Sequence, residues 1–518
     1  MKFSRIFRRR DVAEAPPARV EPPLATPRET RTARLDAVRR FRAARPDRLL
    51  SGFSAFHTPT PRQDLREDIR GIVSHARAAS QNYAHAVSYE QLARDNVVGP
   101  DGIRLVPAVV HTREDGRDRD GNALAGTPDA MANDRISDAW AAWARKGAPT
   151  PCGRLSLWDV QRQVVTAIIR EGGMMFRHHL GRGPFGYQVE PLPFDLLDID
   201  LTRQAGENFI ESGIEFDPDG RPVAAHLWTV PQNDIHRPRH NRRRRIPWGQ
   251  LGYVADLYEV GAALGVPRSQ AALRMMGLAE QFDESALVAA DHGARSVTYF
   301  EQEAGTEVAA ALSPEDAPES LEPGSSVMLP AGVRANSPDP KYPEAAVEPF
   351  MDHFTRSQAA ALGVSAESLS SNLKGANYSS LHAGMLKERD TWRTLQRVVV
   401  EGFLEPVRAQ WLPAAMMAGR VNLPMRRLAK FDAAEWRPRG WSAVDPQKQA
   451  RADREGLEGG FVTVSEIAAR KGRTVEEIAR ERARDRAAFA AEGLGDPYAA
   501  PAATAAALNP QEGPENDD

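Results

Sequence analysis

Apolar residues recur every three or four positions in several long stretches of the chain, which predicts amphipathic helices. In the last of these stretches Leu381, Trp392 and Phe403 share one face, so we interpret the stripe as core. The helices are expected at about 64–95, 133–146, 157–171, 247–264, 267–291, 343–362 and 379–412.

Short alternating runs between these helices predict strands, so the expected fold class is α+β. The turn sequence Asp217-Pro-Asp-Gly220 lies between two such runs and predicts a hairpin. Gly181 to Gly186 has the spacing GxGxxG, but a strand follows it where a dinucleotide site needs a helix, so we interpret it as a hairpin turn. Further strands are expected at 187–191, 224–229, 297–301 and 325–329.

Both ends of the chain have compositions that disfavour packing. Residues 1–60 are rich in Arg, Pro and Ala, which indicates an extended arm and not a signal peptide. Residues 496–518 are rich in Pro and Ala and then acidic, which indicates a disordered tail.

Composition narrows the classes of partner. The 518 residues include 67 Lys and Arg against 70 Asp and Glu, a net charge of −3, so any DNA contact must be local. Cys152 is the only cysteine, which excludes an intrachain disulfide and a CxxC metal knuckle. No run approaches the roughly 18 apolar residues of a membrane span, and no membrane partner is expected.

The sequence lacks several common enzyme motifs, so it offers no catalytic candidate. No lysine is followed by Ser or Thr, so GxxxxGK[ST] does not occur and ATP-driven movement would need a partner. GxSxG and HExxH do not occur either. We therefore expect no catalytic residues, no metal and no cofactor.

Two clusters of polar residues invite metal hypotheses. Asp195, Asp198 and Asp200 could form a Mg²⁺ site of a nuclease, but in an extended strand Asp195 would point away from the other two. His178 and His179 have no further ligand at a helical spacing, which indicates a strand with one buried and one exposed imidazole. The nuclease stays as an alternative.

Two basic or helical features could contact DNA. Arg242, Arg243, Arg244 and Arg245 end a basic loop from His236 and could bind phosphates, or could be a solvated loop.

Residues 463–480 contain two capping boxes around Gly472, the pattern of a helix-turn-helix. Glu476 and Glu477 at the start of the second helix would oppose docking on phosphates. A structural helical hairpin is favoured, and a helix-turn-helix DNA-binding protein stays as an alternative.

Several segments, in order and spacing over roughly residues 64–495, resemble the lambda family of tailed-phage portal proteins. Gln447 and Gln449 depart from the family pattern, and the Arg242–Arg245 run is more basic than expected. The segments that carry the resemblance are 74–82, 95–103, 213–225, 265–268, 362–364, 377–380, 444–448, 459–463 and 472–478.

The resemblance implies a portal fold that assembles as a dodecameric ring at one capsid vertex. It also implies the following regions: an arm (1–60), an α+β wing (61–245), helices leading into the stem (246–295), a β-containing clip (296–342), a stem helix (343–362), a channel loop (363–378), a long wing helix (379–430), a helical crown (431–495) and the tail (496–518).

The resemblance further implies that the channel loop touches double-stranded DNA. The candidate channel residues are Asn372, Lys374 and Asn377, with Asn377 and Ser379 capping the long helix. The implied partners are the large terminase subunit, the major capsid and scaffold proteins, head-completion or tail adaptor proteins and the DNA. The implied location is the virion, with the host cytoplasm during assembly.

Overall fold

A computed structural model describes nine stretches of the chain, all within the unit Pro61–Asp518. They are residues 61–117, 125–231, 241–257, 260–294, 299–302, 333–336, 347–374, 377–441 and 445–498. The expected arm, the expected strand at 325–329 and the tail beyond residue 498 lie outside the described residues.

The helices of the described residues include one in each range predicted from apolar periodicity, except 247–264, and others at 366–370, 428–431 and 446–458 that it did not predict. They are α1 Pro61–Asn82, α2 Ala84–Val97, α3 Ala130–Trp143, α4 Leu157–Glu171, α5 Gln270–Ala294, α6 Val347–Leu362, α7 Ala366–Ser370, α8 Tyr378–Val399, α9 Glu405–Met417, α10 Leu428–Phe431, α11 Pro446–Glu458, α12 Val464–Arg470 and α13 Val475–Ala491.

The strands form small antiparallel sheets, which makes the observed architecture α+β as expected. The strands are β1 Arg104–Pro107, β2 Gly173–Leu180, β3 Tyr187–Leu192, β4 Arg203–Ala205, β5 Asn208–Glu211, β6 Ile214–Phe216, β7 Pro222–Trp228, β8 Arg243–Pro247, β9 Leu251–Ala255, β10 Tyr299–Gln302, β11 Val333–Asn336 and β12 Ala434–Arg437. The sheet orders are β1-β12, β10-β11, β3-β2-β9 and β4-β5-β6-β7-β8.

Both predicted hairpins are confirmed. Strands β2 and β3 pair on either side of Gly181–Gly186, with Leu180 opposite Tyr187. Strands β6 and β7 pair on either side of the Asp217–Gly220 turn. The first hairpin supplies two strands of the three-stranded sheet, and the second lies inside the five-stranded sheet.

The helix predicted at 247–264 is wrong, because residues 251–255 form β9, which pairs with β2. The reason is a close contact: a Cβ on Gly252 would lie 2.2 Å from the ring of Phe176, so the strand can lie against that ring only with glycine at this position. Buried Leu251 and Val254 mimic a helical stripe over this short run.

The long helix predicted at 379–412 is observed as α8 and α9 joined by a π-helical turn, Val400–Leu404. Gly402 lies in this turn, and a Cβ there would lie 2.9 Å from Val254 of β9. The turn therefore brings the helix close to the three-stranded sheet. Trp411 of α9 packs ring against ring with Trp140 and Trp143 of α3, with centroids 4.9–6.0 Å apart.

A charged network fixes the segment after β1 to the start of α10. Lys430 donates to Asp115 at 2.8 Å and to Asp129 at 2.6 Å, and Arg427 donates to Asp115 at 2.6 Å. These hydrogen bonds, first from Arg427 and then from Lys430, hold the pKa of Asp115 well below its ordinary value. Since the four side chains are largely buried, we interpret the network as a structural link between these two segments.

Candidate nucleic-acid interface

The four-arginine run is not a loop as predicted, because Arg243–Pro247 forms β8, the edge strand of the five-stranded sheet. Side chains alternate between the two faces of a strand. Arg243 and Arg245 therefore share one face and Arg244 lies on the other. Residues 232–240 lie outside the described residues.

Arg243 and Arg245 both pair with buried carboxylates. Arg243 lies 2.6 Å from Asp198 and 5.2 Å from the centroid of Trp228. Arg245 donates to the two carboxylate oxygens of Glu215 at 2.7 and 3.0 Å. These contacts give both arginines a structural role.

Glu215 receives two further hydrogen-bond partners inside the sheet. Asn208 donates to it at 2.7 Å, and the imidazole of His226 lies 3.3 Å away. The hydrogen bond from Arg245 is the largest cause that lowers the pKa of Glu215 to about 2. Burial lowers the pKa of His226. The carboxylate is thus held in its charged form.

All four arginines are exposed, but Arg242 and Arg244 differ from their neighbours because neither side chain forms an ion pair with the residues that the structure describes. The backbone N–H of Arg242 donates to Thr229 at 3.1 Å. Of the four arginines predicted to contact phosphate, these are the two whose side chains are not paired with a carboxylate of the described residues.

The predicted channel loop contains a five-residue helix, α7, so the expectation of a continuous loop over 363–378 is wrong. Ser365 caps α7 by accepting from the N–H of Ser368 at 3.1 Å, and Leu369 is buried. A local cap and one buried leucine are enough to form the helical turn. The exposed part of the predicted loop is therefore limited to the residues after Ser370.

Lys374 lies in that exposed segment. Its ammonium donates to Glu348 of α6 at 2.7 Å, and this hydrogen bond raises the pKa of Lys374. Its backbone N–H donates to the side chain of Asn372 at 3.0 Å. Both side chains of the Lys374–Glu348 pair are at least 70% exposed, so the pair is weak and an anion could displace the carboxylate. Residues 375–376 lie outside the described residues.

The base of the loop is formed by Asn377, which directly precedes α8 and whose carbonyl accepts from the N–H of Leu381 at 3.0 Å. Ser379 is the second residue of α8. The prediction that Ser379 caps the helix is therefore wrong, since the helix begins one residue earlier than expected.

The three aspartates of the metal hypothesis diverge, and each contacts a different arginine. Asp195 lies 2.9 Å from Arg77, and Asp200 lies 2.5 Å from Arg70. Asp198 pairs with Arg243 of the edge strand β8. A 3-10 turn at Phe194–Leu196 replaces the predicted strand. Within the described stretches no three His, Cys, Asp or Glu side chains group as metal ligands.

The adjacent histidines lie at the end of β2 as predicted, but both are mostly buried. His178 lies 2.6 Å from the hydroxyl of Tyr187, and burial lowers its pKa to about 4. His179 lies 2.7 Å from Glu190 with its side chain 12% exposed, so the prediction of an exposed imidazole is wrong. The cross-strand carboxylate of β3 covers it.

The C-terminal helical hairpin is confirmed, with both capping boxes formed at Thr463 and Thr474. Glu477, in the first turn of the second helix, accepts from Arg104 of β1 at 3.1 Å. Arg480 donates to Asp134 of α3 at 2.8 Å. In a helix-turn-helix protein the N-terminal end of the second helix enters the major groove of DNA. Here that end of α13 contacts β1 and α3 of the same chain.

Sequence reasoning missed one basic surface. Arg389 and Arg393 lie one helical turn apart in α8, and both guanidinium groups contact Trp441. The spacing of the arginines was visible in the sequence, but the tryptophan lies 48 residues further along the chain.

No helix among the described stretches is both long and apolar enough to span a bilayer.

Comparison with known proteins identifies the family. The family model described as phage portal protein, lambda family, matches residues 48–396. A probable portal protein of Halomonas phage phiHAP-1 is 28% identical over 503 residues, which cover 94% of this chain and 91% of the relative.

Two solved structures resemble this chain at lower sequence identity. A chain in the neck of an empty GTA particle has a TM-score of 0.46 and 14% identity, covering 78% of this chain and 94% of that one. An HK97 family phage portal protein from Corynebacterium diphtheriae has a TM-score of 0.31 and 12% identity, covering 73% and 96%. On the family match, which spans well over half of its residues, the chain belongs to the lambda family of phage portal proteins.

Proposed function

We propose that this chain forms a ring, a dodecamer, at one vertex of a phage capsid, and that the ring is the channel for DNA packaging and ejection. The family match over residues 48–396 carries this proposal. In the proposed role the function is geometric, and the packaging ATPase is a partner, the large terminase subunit.

Exposed apolar side chains on α5 support self-association. Leu287 is 71% exposed, and Val288, next to it in the chain, is 52% exposed. Exposed neighbouring apolar residues of this size are typical of surfaces that another chain covers. In the proposed ring, the neighbouring copy covers them.

The proposed regions follow the order of the elements. Helices α5 and α6 form the stem, and the ribbon of β10 and β11 between them belongs to the clip, where terminase docks. The 25 residues of α5 span about 37 Å and the 16 of α6 about 24 Å at 1.5 Å per residue, lengths suited to a channel wall. Helices α11 to α13 form the crown.

In the proposed channel, DNA meets the exposed segment at Asn372 and Lys374, with Asn377 at its base. A contact that DNA slides past must be weak, because each phosphate neutralised adds to a barrier that recurs along the duplex. The exposed Lys374–Glu348 pair suits that requirement, since the lysine can exchange one anion for another. Arg242 and Arg244 are proposed as further phosphate contacts.

The proposed partners beyond the ring are the major capsid and scaffold proteins and head-completion or tail adaptor proteins. The proposed site of assembly is the host cytoplasm, and the final location is the capsid vertex.

Negative-stain electron microscopy of the purified full-length protein tests the proposal. Rings with a central hole wide enough for a duplex are expected. A protein that stays monomeric across a tenfold range of concentration, with the circular dichroism of a folded chain, would contradict it.

A further inference from the structure

A basic surface outside the proposed channel loop lies on α8. Arg389, Arg393 and Arg397 are spaced four residues apart, so successive side chains start about 6 Å apart on neighbouring turns of one helix face. Arg439, from the segment after β12, adds a fourth guanidinium whose charge acts on Arg389. The surface is thus assembled from two distant parts of the chain.

The indole ring of Trp441 packs against two of these arginines. The guanidinium carbons of Arg389 and Arg393 lie 5.9 and 5.6 Å from the centroid of Trp441. The indole N–H donates to the side chain of Asn96 at 2.8 Å, which fixes the ring. Guanidinium groups that lie against a fixed ring lose less conformational freedom when they bind an anion.

The positive charges are crowded. Burial lowers the pKa of Arg389, and the nearby charges of Arg393 and Arg439 lower it further. Arg439 itself donates to the backbone carbonyl of Asp95, an acceptor without formal charge. An anion placed among these groups would relieve the repulsion between them.

The nearby carboxylates do not fully neutralise the positive charge of this surface. Asp390 pairs with Arg393 at 2.7 Å and Glu401 pairs with Arg397 at 2.6 Å, and all four side chains are more than half exposed. Such pairs contribute little and exchange readily. Buried Glu388 accepts from the backbone N–H of Ser365 and the indole N–H of Trp392, and its charge raises the pKa of Arg389.

We propose that Arg389 and Arg393, which lie against Trp441, together with nearby Arg439, bind the phosphate backbone of double-stranded DNA. A duplex carries one charge per about 1.7 Å of its axis, so a row of arginines meets anions at any register. Guanidinium groups also match phosphate in geometry, since they donate two parallel hydrogen bonds.

This inference rests on the proposed function, in which duplex DNA is present, and goes beyond it by adding a contact. Unlike exposed Lys374, Arg389 and Arg393 are restrained by the indole of Trp441. They therefore suit a contact that retains DNA, and not one that DNA slides past.

The test measures binding of a fluorescein-labelled duplex to the full-length protein by anisotropy, between about 50 and 200 mM salt. The double variant Arg389→Gln/Arg393→Gln should reduce the slope of log K against log salt by about 1.8, or about 0.9 for each phosphate that the variant no longer neutralises. The control Arg451→Gln/Arg454→Gln removes two exposed arginines from α11 and should leave the slope unchanged.

If the double variant unfolds, the single variant Arg393→Gln serves instead, since this side chain is 61% exposed and should cost little stability. Its expected decrease in slope is about 0.9.

Five results would overturn the inference, and the first three concern binding itself: no duplex binding by the unmodified protein, an unchanged slope in a folded variant, or an equal decrease in the control. Competition by poly-glutamate as effective as that by unlabelled duplex would also overturn it, because the ligand would then be an acidic polypeptide. Displacement of the duplex by millimolar inorganic phosphate alone would do the same, as it indicates a site for a small anion.

Micrographs of the same samples separate the two proposals. Rings without the expected slope change contradict only the arginine surface. A folded unmodified protein that forms no rings contradicts the proposed function itself.

Discussion

Replacing Arg245 by Gln should destabilise the five-stranded sheet without exposing new apolar surface. The guanidinium is the main partner of Glu215, whose side chain is only 6% exposed. Removal leaves a buried carboxylate with the amide of Asn208 and the imidazole of His226 as partners. A buried charge that loses its counter-charge costs free energy of folding.

The pKa of Glu215 gives the size of this effect. A decrease from the ordinary 4.5 to about 2 means that the ionised form is favoured in the folded state by about 3 kcal/mol. Arg245 is the largest of several causes and its side chain is half-exposed, so its share is screened. We expect the free energy of unfolding at pH 7 to fall by about 1–2 kcal/mol.

The dependence on pH has a definite sign. A carboxylate with a lowered pKa in the folded state stabilises the protein above its unfolded pKa of about 4.5, and this stabilisation is lost as the pH falls toward 2. The difference in stability between unmodified protein and Arg245→Gln should therefore be largest near pH 7 and shrink below pH 4.5.

Urea unfolding followed by circular dichroism at several pH values measures the difference. Arg244→Gln is the matched control, because its side chain lies on the other face of β8, and it should change stability by less than about 0.5 kcal/mol. Equal destabilisation by the two variants, or a loss for Arg245→Gln that does not depend on pH, would refute the reasoning.

Three further predictions concern the proposed ring and one concerns the crown. Lys374→Glu should leave rings intact but alter DNA packaging or retention, measured as DNA content per particle, whereas Lys448→Glu, similarly exposed on α11, should not. Leu287→Glu should give a folded monomer in sedimentation, and rings as abundant as in the unmodified protein would contradict the role of α5. Deleting 302–322 should keep rings and abolish terminase binding in a pull-down, and retained binding would place docking elsewhere. Thr474→Ala should lower stability by about 1 kcal/mol through loss of its cap, measured by urea unfolding, and no loss would count against the capping box.

The sequence was most informative where one local signal decides a structure. The capping boxes at Thr463 and Thr474 placed two helices correctly, and the Asp217–Gly220 turn placed a hairpin. It failed at 247–264, where two buried residues suggested a helix. The strand there depends on the contact between Gly252 and Phe176, whose positions differ by 76 residues, so no local pattern could predict it.

The same limit applies to the candidate interface, where the sequence pointed to four arginines but could not show which groups they contact. Four consecutive arginines look equivalent in the sequence, yet strand alternation turns Arg243 and Arg245 toward Asp198 and Glu215. Both carboxylates are buried, and neither is near β8 in the sequence. Half of the basic run is therefore required by the fold, because those carboxylates would otherwise be buried without a counter-charge. Only the other half could bind phosphate without giving up an ion pair to a buried carboxylate, so counting arginines overestimates the charge that a strand offers to DNA.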